Sequence, residues 1–309
     1  MEYRPLGNTG LKVSVLGYGA SPLGSVFRAI NETDGIRTVH TALDLGINLI
    51  DVSPYYGLTR AEQVLGKALK PIHRDNYILT TKVGRYGGNQ FDFSRERVLS
   101  SVDESLKRLG VEHIDIIQCH DIEFVELDQI VNETLPALYE LQENGKVRFI
   151  GITGYPLKIF REVIAQTHVD TILSYCRYSL NDTSLLDLIP FLKERGTGII
   201  NASPLSMGLL TQRGVPDWHP ASVEIVEACS AAAAYCRENG VDIAQLAIHF
   251  STTNPDIAST LVGTANPENI KKNVQWADAP VDEDLLSQVQ KILSPIHNDA
   301  WLSGLPENN

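Results

Sequence analysis

The chain has 309 residues, and its 26 Lys and Arg against 38 Asp and Glu give a formal net charge of −12. With 43% hydrophobic and 21% charged residues it has the makeup of a folded globular protein, which excludes global disorder. The acidic balance argues against a nucleic-acid partner, because phosphates repel a net anion.

In chain order, residues 3–6 and 11–13 flank Gly7-Asn8-Thr9-Gly10 and read as a small hairpin. Apolar runs follow at 15–17, 49–51, 77–82, 114–120, 149–153, 171–175, 198–203 and 257–262. Most lack period-two alternation, as parallel strands buried on both faces do. Helical patterns fall between and after them, at 33–45, 62–69, 94–109, 127–144, 157–166, 184–195, 222–238, 243–252 and 267–276. Ser, Thr or Pro at several starts and Gly at several stops supply the end groups that helices need. Residues 213–222, with Pro216, Trp218 and Pro220, read as an irregular loop able to cover a substrate. The tail 294–309 reads as extended, with Trp301 packed against the body.

Strand and helix alternate through eight units with no break in composition. This predicts an α/β protein with a single (β/α)8 barrel domain over 1–309, its N-terminal β-hairpin plugging the barrel bottom. A doubly wound sheet is the runner-up, but Gly17-Tyr18-Gly19-Ala20-Ser21-Pro22 matches Gly-x-Gly-x-x-Gly poorly. No apolar run is long enough to cross a membrane, and Met1-Glu2-Tyr3-Arg4-Pro5 has no leader character. Cys119, Cys176, Cys229 and Cys236 form no Cys-x-x-Cys pair, so reduced thiols and a cytoplasmic location are expected. No His-Glu-x-x-His motif or Cys/His cluster suggests a metal.

Four polar residues mark the C-terminal ends of predicted strands, the face on which barrel active sites are built. Asp51 closes the second strand, with Tyr56 just beyond; Lys82 closes the third and His120 the fourth. A charge ending an apolar strand is costly unless paired, so Asp51 and Lys82 are expected to form a buried pair. The set suits hydride transfer. Tyr56 can give or take the proton on the substrate oxygen, Lys82 would lower the Tyr56 pKa, and His120 would orient that oxygen. Cys119 faces the other side of its strand and reads as a packing thiol.

The stretches Asp51-Val52-Ser53-Pro54-Tyr55-Tyr56-Gly57, Thr81-Lys82 and Ile116-Ile117-Gln118-Cys119-His120 resemble motifs of the aldo-keto reductases. Gly151-Ile152-Thr153-Gly154, Ala202-Ser203-Pro204-Leu205 and the segment 263–273 extend the resemblance over essentially the whole chain. It implies a (β/α)8 barrel, a nicotinamide cofactor, a monomer, and a catalytic tetrad of Asp51, Tyr56, Lys82 and His120. It implies cofactor contacts from Gly19, Ala20, Asp51, Thr153, Tyr175, Ser203, Pro204, Leu205, Gly263, Thr264, Asn269 and Asn273. Long strings outside these motifs, such as Asp217-Trp218-His219-Pro220-Ala221, resemble the branch that oxidises L-galactose at C1 with NAD on the way to ascorbate. Related L-fucose or D-arabinose oxidation, or a non-catalytic regulatory subunit, are the alternatives. Tyr56, His120, Asp121, Tyr86 and Trp218 are the expected sugar contacts.

The resemblance also bears on the cofactor. Where NADP-using relatives carry Lys and Arg around the 2′-phosphate, this chain has Gly263 and Asn269, with Glu268 adding a negative charge. NAD is expected by at least tenfold, on the order of 1.4 kcal/mol. Ala202 stands where relatives place the Tyr that stacks on nicotinamide, so Tyr175 is expected to supply that surface.

Overall fold

The computed structural model describes residues 1–26 and 28–309. In chain order the strands are β1 (Tyr3–Pro5), β2 (Lys12–Ser14), β3 (Leu16–Gly19), β4 (Leu49–Asp51), β5 (Ile78–Val83), β6 (Arg85–Gly87), β7 (Gln90–Phe91), β8 (Ile114–Cys119), β9 (Val147–Gly154), β10 (Thr171–Tyr175), β11 (Gly198–Ala202) and β12 (Ser259–Gly263). Eight of them close a barrel in the order β3-β4-β5-β8-β9-β10-β11-β12, and every neighbouring pair is parallel. The predicted (β/α)8 barrel is therefore the observed fold, with strand ends shifted by one or two residues.

Burial on both faces explains the unbroken apolar runs. Ile117 and Cys119 of β8 pack outward with Val83 and Ile152, while Ile116 packs inward with Leu49, Leu173, Ile200 and Leu261. The β1–β2 hairpin plugs the lower end, since Leu6, Leu11 and Val13 join that inner cluster. Its turn passes so close to the barrel that a Cβ on Gly7 (φ +52°) would lie 2.4 Å from Gly196 O and Gly198 N. Only glycine fits there.

The helices depart from expectation in instructive ways. The first runs Glu32–Asp44 and is capped by Asn31, whose side chain accepts from Thr33 N and Asp34 N. The segment expected as one helix over 127–144 has a wide π turn at Ile130–Thr134 before Leu135–Glu143. Pro136 explains this, because it lacks the N–H that would continue the ladder. A helix over Glu283–Leu293 was not anticipated; Asp282 caps it, and it buries Leu285, Val289 and Leu293 beside Val223–Glu238. Its Leu285, Val289, Leu293 spacing was the overlooked signal. Among the described residues, no helix is long and apolar enough to cross a membrane. All four cysteines are buried and unpaired, and burial raises the Cys119 thiol far above its ordinary range.

Candidate active site

The alternation of each strand carries polar groups into the upper barrel. Asp51 lies two residues past Leu49, Lys82 two past Thr80, and His120 two past Gln118, so all face the same interior. Lys82 Nζ donates to Asp51 Oδ1 at 2.5 Å and to Val52 O at 3.0 Å. Thr80 Oγ1 donates to Asp51 Oδ2, and Gln118 Nε2 reaches the same oxygen at 3.1 Å. The expected ion pair is thus present, fully buried, with both carboxylate oxygens satisfied.

Tyr56 and His120 meet above this pair, edge to face, with ring centroids 5.6 Å apart. Lys82 Nζ lies 5.2 Å from the Tyr56 ring centroid. The expected lowering of the Tyr56 pKa is not found. Burial, and then the charges of Asp51 and Asp121, hold the phenol well above its ordinary range. The reason is that Asp51 neutralises Lys82, so desolvation dominates. Burial also drives His120 down to about 3, so its imidazole is neutral at physiological pH.

Asp121 (φ +53°) follows His120, and its Oδ2 lies 3.6 Å from His120 Nε2. Its carboxylate is bound by Arg85, whose guanidinium lies 4.1 Å over the Tyr55 ring. Burial opposes ionisation of Asp121, yet the Arg85 charge holds its carboxyl below the usual range. Thr153 Oγ1 accepts the Asp121 N–H at 2.9 Å and donates to Asp121 Oδ1 at 3.2 Å. The Thr153 hydroxyl therefore braces Asp121 on the wall of the mouth.

Tyr86 is not brought to this centre. Its hydroxyl accepts the Gly84 N–H at 3.1 Å, and Arg97 of the helix Arg95–Leu109 covers its ring. Gly84 (φ +94°) breaks the β5 alternation, and Arg85 takes the inward side in place of Tyr86. Trp218 is 57% exposed and stacks beside His219. His219 in turn meets Trp301 edge-on at 5.1 Å. Trp301 stacks on Tyr155 at 4.8 Å, as expected of a packed tail, and Ser303 Oγ donates to the buried Glu123 at 3.1 Å. Tyr175 OH donates to the same Glu123 Oε1 at 3.2 Å. Ser53, Arg85, Gln118 and Glu123 were given no role from sequence. Gln118 could have been found from its period-two relation to His120.

The opposite wall of the mouth is bare. Gly19, Gly263 and Ala202 are the last residues of the adjacent strands β3, β12 and β11, and none carries a side chain beyond Cβ. The chain then recoils through Ser203, Ser206 and Met207, at φ 57°, 45° and 52°, around Pro204 and Leu205. Such a wall leaves room for a flat ring, and Ala20 continues it. Beyond β12, Thr264 Oγ1 accepts the Asn266 N–H at 3.1 Å and lies 3.5 Å from Asn269 Nδ2. Asn273 lies one turn further along the helix Pro267–Asp278. The start of that helix does not offer all its amides to an anion, as Asn266 Oδ1 already accepts the Glu268 N–H at 2.9 Å.

The family model described as the aldo/keto reductase family matches residues 15–294. The chain belongs to the aldo/keto reductase family. This aldo/keto reductase is an oxidoreductase, and its family uses nicotinamide cofactors. It is 52% identical to L-galactose dehydrogenase of Arabidopsis thaliana, over 100% of this chain and 99% of the relative. It is 33% identical to D-arabinose 1-dehydrogenase of Saccharomyces cerevisiae, over 86% of each chain. Among solved structures, the holo form of an aldo-keto reductase from Bacillus halodurans superposes with a TM-score of 0.80 at 27% identity, covering 100% of this chain and 99% of that one.

Proposed function

We propose that this aldo/keto reductase oxidises L-galactose at C1 with NAD, giving L-galactono-1,4-lactone for ascorbate synthesis. The observation that carries this reading is the full-length likeness, at 52% identity, to a relative named L-galactose dehydrogenase. The site agrees with it chemically. A cyclic sugar has a C1 that carries one hydrogen and one hydroxyl, and oxidation removes both hydrogens as hydride and proton. Tyr56, in its ionised form, takes the hydroxyl proton, and neutral His120 holds the same oxygen by hydrogen bonding. A bound nicotinamide would supply the hydride acceptor and, when oxidised, a positive charge that favours the Tyr56 phenolate. Asp51 and Lys82 hold the floor beneath Tyr56, and the Arg85–Asp121 pair presents donors and acceptors to the sugar hydroxyls.

The wall of Gly19, Ala20, Ala202, Ser203, Pro204, Leu205 and Gly263, with Thr264, Asn269 and Asn273 beyond it, would hold the dinucleotide. Tyr175 pairs in register with Ala202, which supports its role as the aromatic surface on the nicotinamide. NAD is favoured over NADP by the charge state of the adenosine end. Lys271 is tied to Glu268 at 2.8 Å, and the helix start is already capped by Asn266. A ribose hydroxyl needs no free cation there, whereas a 2′-phosphate does. The four buried thiols suit a reducing cytoplasm.

A second reading, oxidation of D-arabinose or L-fucose, is favoured by the likeness to the yeast D-arabinose enzyme. The test is reduced-nicotinamide absorbance with L-galactose, L-fucose or D-arabinose and either NAD or NADP, with Tyr56→Phe as control. The expected result is turnover with L-galactose and NAD, lowered about 10²–10⁴-fold in the variant. Preference for another sugar overturns the substrate, and preference for NADP overturns the cofactor.

A further inference from the structure

We propose that Ser53 is a positioning residue that fixes the tautomer and ring of His120 and couples it to the turn carrying Tyr56. The inference deepens the proposed function and rests on it for the catalytic consequence alone. Ser53 is fully buried just past β4, and its Oγ lies 2.9 Å from His120 Nδ1. The same oxygen accepts the Tyr55 N–H at 3.1 Å, and the Tyr56 N–H donates to Ser53 O at 3.1 Å. One residue thus holds both the orienting imidazole and the acid/base loop.

The proton count decides the tautomer. A serine hydroxyl has one proton to donate. Among the described residues, His120 Nδ1 is the one acceptor within reach of the Ser53 hydroxyl. A neutral imidazole carries a proton on one nitrogen only. Were it on Nδ1, the buried Ser53 hydroxyl would have no acceptor, and the Nε2 lone pair would face the Asp121 carboxylate 3.6 Å away. Both arrangements are unfavourable. With the proton on Nε2, Ser53 donates to Nδ1, and the Nε2–H faces Asp121 and the mouth. His120 is then a hydrogen-bond donor toward the oxygen that exchanges its proton with Tyr56. Its ring is fixed from below by Ser53 and flanked by Tyr55 and Tyr56, with centroids at 5.7 and 5.6 Å.

The test is long-range 1H–15N correlation on the full chain labelled with 15N-histidine, with neither sugar nor cofactor added. His120→Asn identifies the resonances, and Ser53→Ala and Ser53→Thr are compared with the native chain. The expected native spectrum has His120 protonated on Nε2, with Nδ1 accepting. Ser53→Ala should shift the Nδ1 resonance and lower kcat about tenfold with KM little changed, and Ser53→Thr should restore kcat to within about threefold. An Nδ1-protonated His120 in the native chain overturns the proposal. So does a Ser53→Ala variant with unchanged His120 resonances. Should Ser53→Ala not fold, the native and Ser53→Thr spectra decide alone. Because the spectra need no substrate, failure of the sugar assignment leaves this result readable.

Discussion

The lower and upper halves of the barrel interior are built from the same strands, one alternation step apart. Leu49, Ile116, Leu173 and Leu261 close on Leu6 and Val13 of the hairpin below. Two residues further along the same strands stand Asp51, Gln118, Tyr175 and Gly263. The lower layer is held by burial alone. The upper one keeps its charges because each has a partner, with Asp51 receiving Lys82, Thr80 and Gln118. One side-chain period thus separates the part of the barrel that stabilises the fold from the part equipped for chemistry.

Removing the Lys82 charge should have the largest effect on the upper layer. Lys82→Met leaves Asp51 charged and unpaired in the interior, and should cost about 3–5 kcal/mol of stability as well as activity. Urea midpoints against the native chain measure the first, and turnover measures the second. An unchanged midpoint would mean that the pair is neutral in net energy.

Leu6→Ala perturbs the lower layer instead. It should cost about 2–5 kcal/mol by opening a cavity in the plug, while the folded fraction keeps its native kcat. A fall in kcat of the folded enzyme would show that the lower layer positions the upper one.

Glu123 offers the smallest effect. Burial first, and the nearby Asp121 second, raise its carboxyl to about 8. Its folded pKa lies above the ordinary carboxyl value of 4.5, so its contribution to stability is complete below that pH. The contribution is lost as pH rises toward 8, because the unfolded chain ionises freely while the buried group resists. Glu123→Gln should therefore gain on the native chain across that window, by on the order of 1–3 kcal/mol, and level off above it. Parallel stability–pH curves for the two proteins would refute the assignment.

Much of the site was legible because its residues end strands. Asp51, Lys82 and His120 are charged or polar groups closing apolar runs, and Tyr56 follows within one turn. Arg85 was not legible, because the left-handed turn at Gly84 exchanges its direction with that of Tyr86. Glu123 was equally hidden, since its partners Tyr155, Tyr175 and Ser303 lie 32, 52 and 180 residues away in the chain. Local pattern carries no information on such contacts.

By itself the sequence determined the eightfold alternation, the hairpin and the placing of Asp51, Tyr56, Lys82 and His120 at or just past strand ends. Each follows from short-range periodicity or from residues standing in recognisable strings. Only the tertiary structure decided the protonation of Tyr56, the ring state of His120 and the partner of Asp121. These depend on burial and on charges brought together from separate strands, and an electrostatic environment exists only once the barrel has closed.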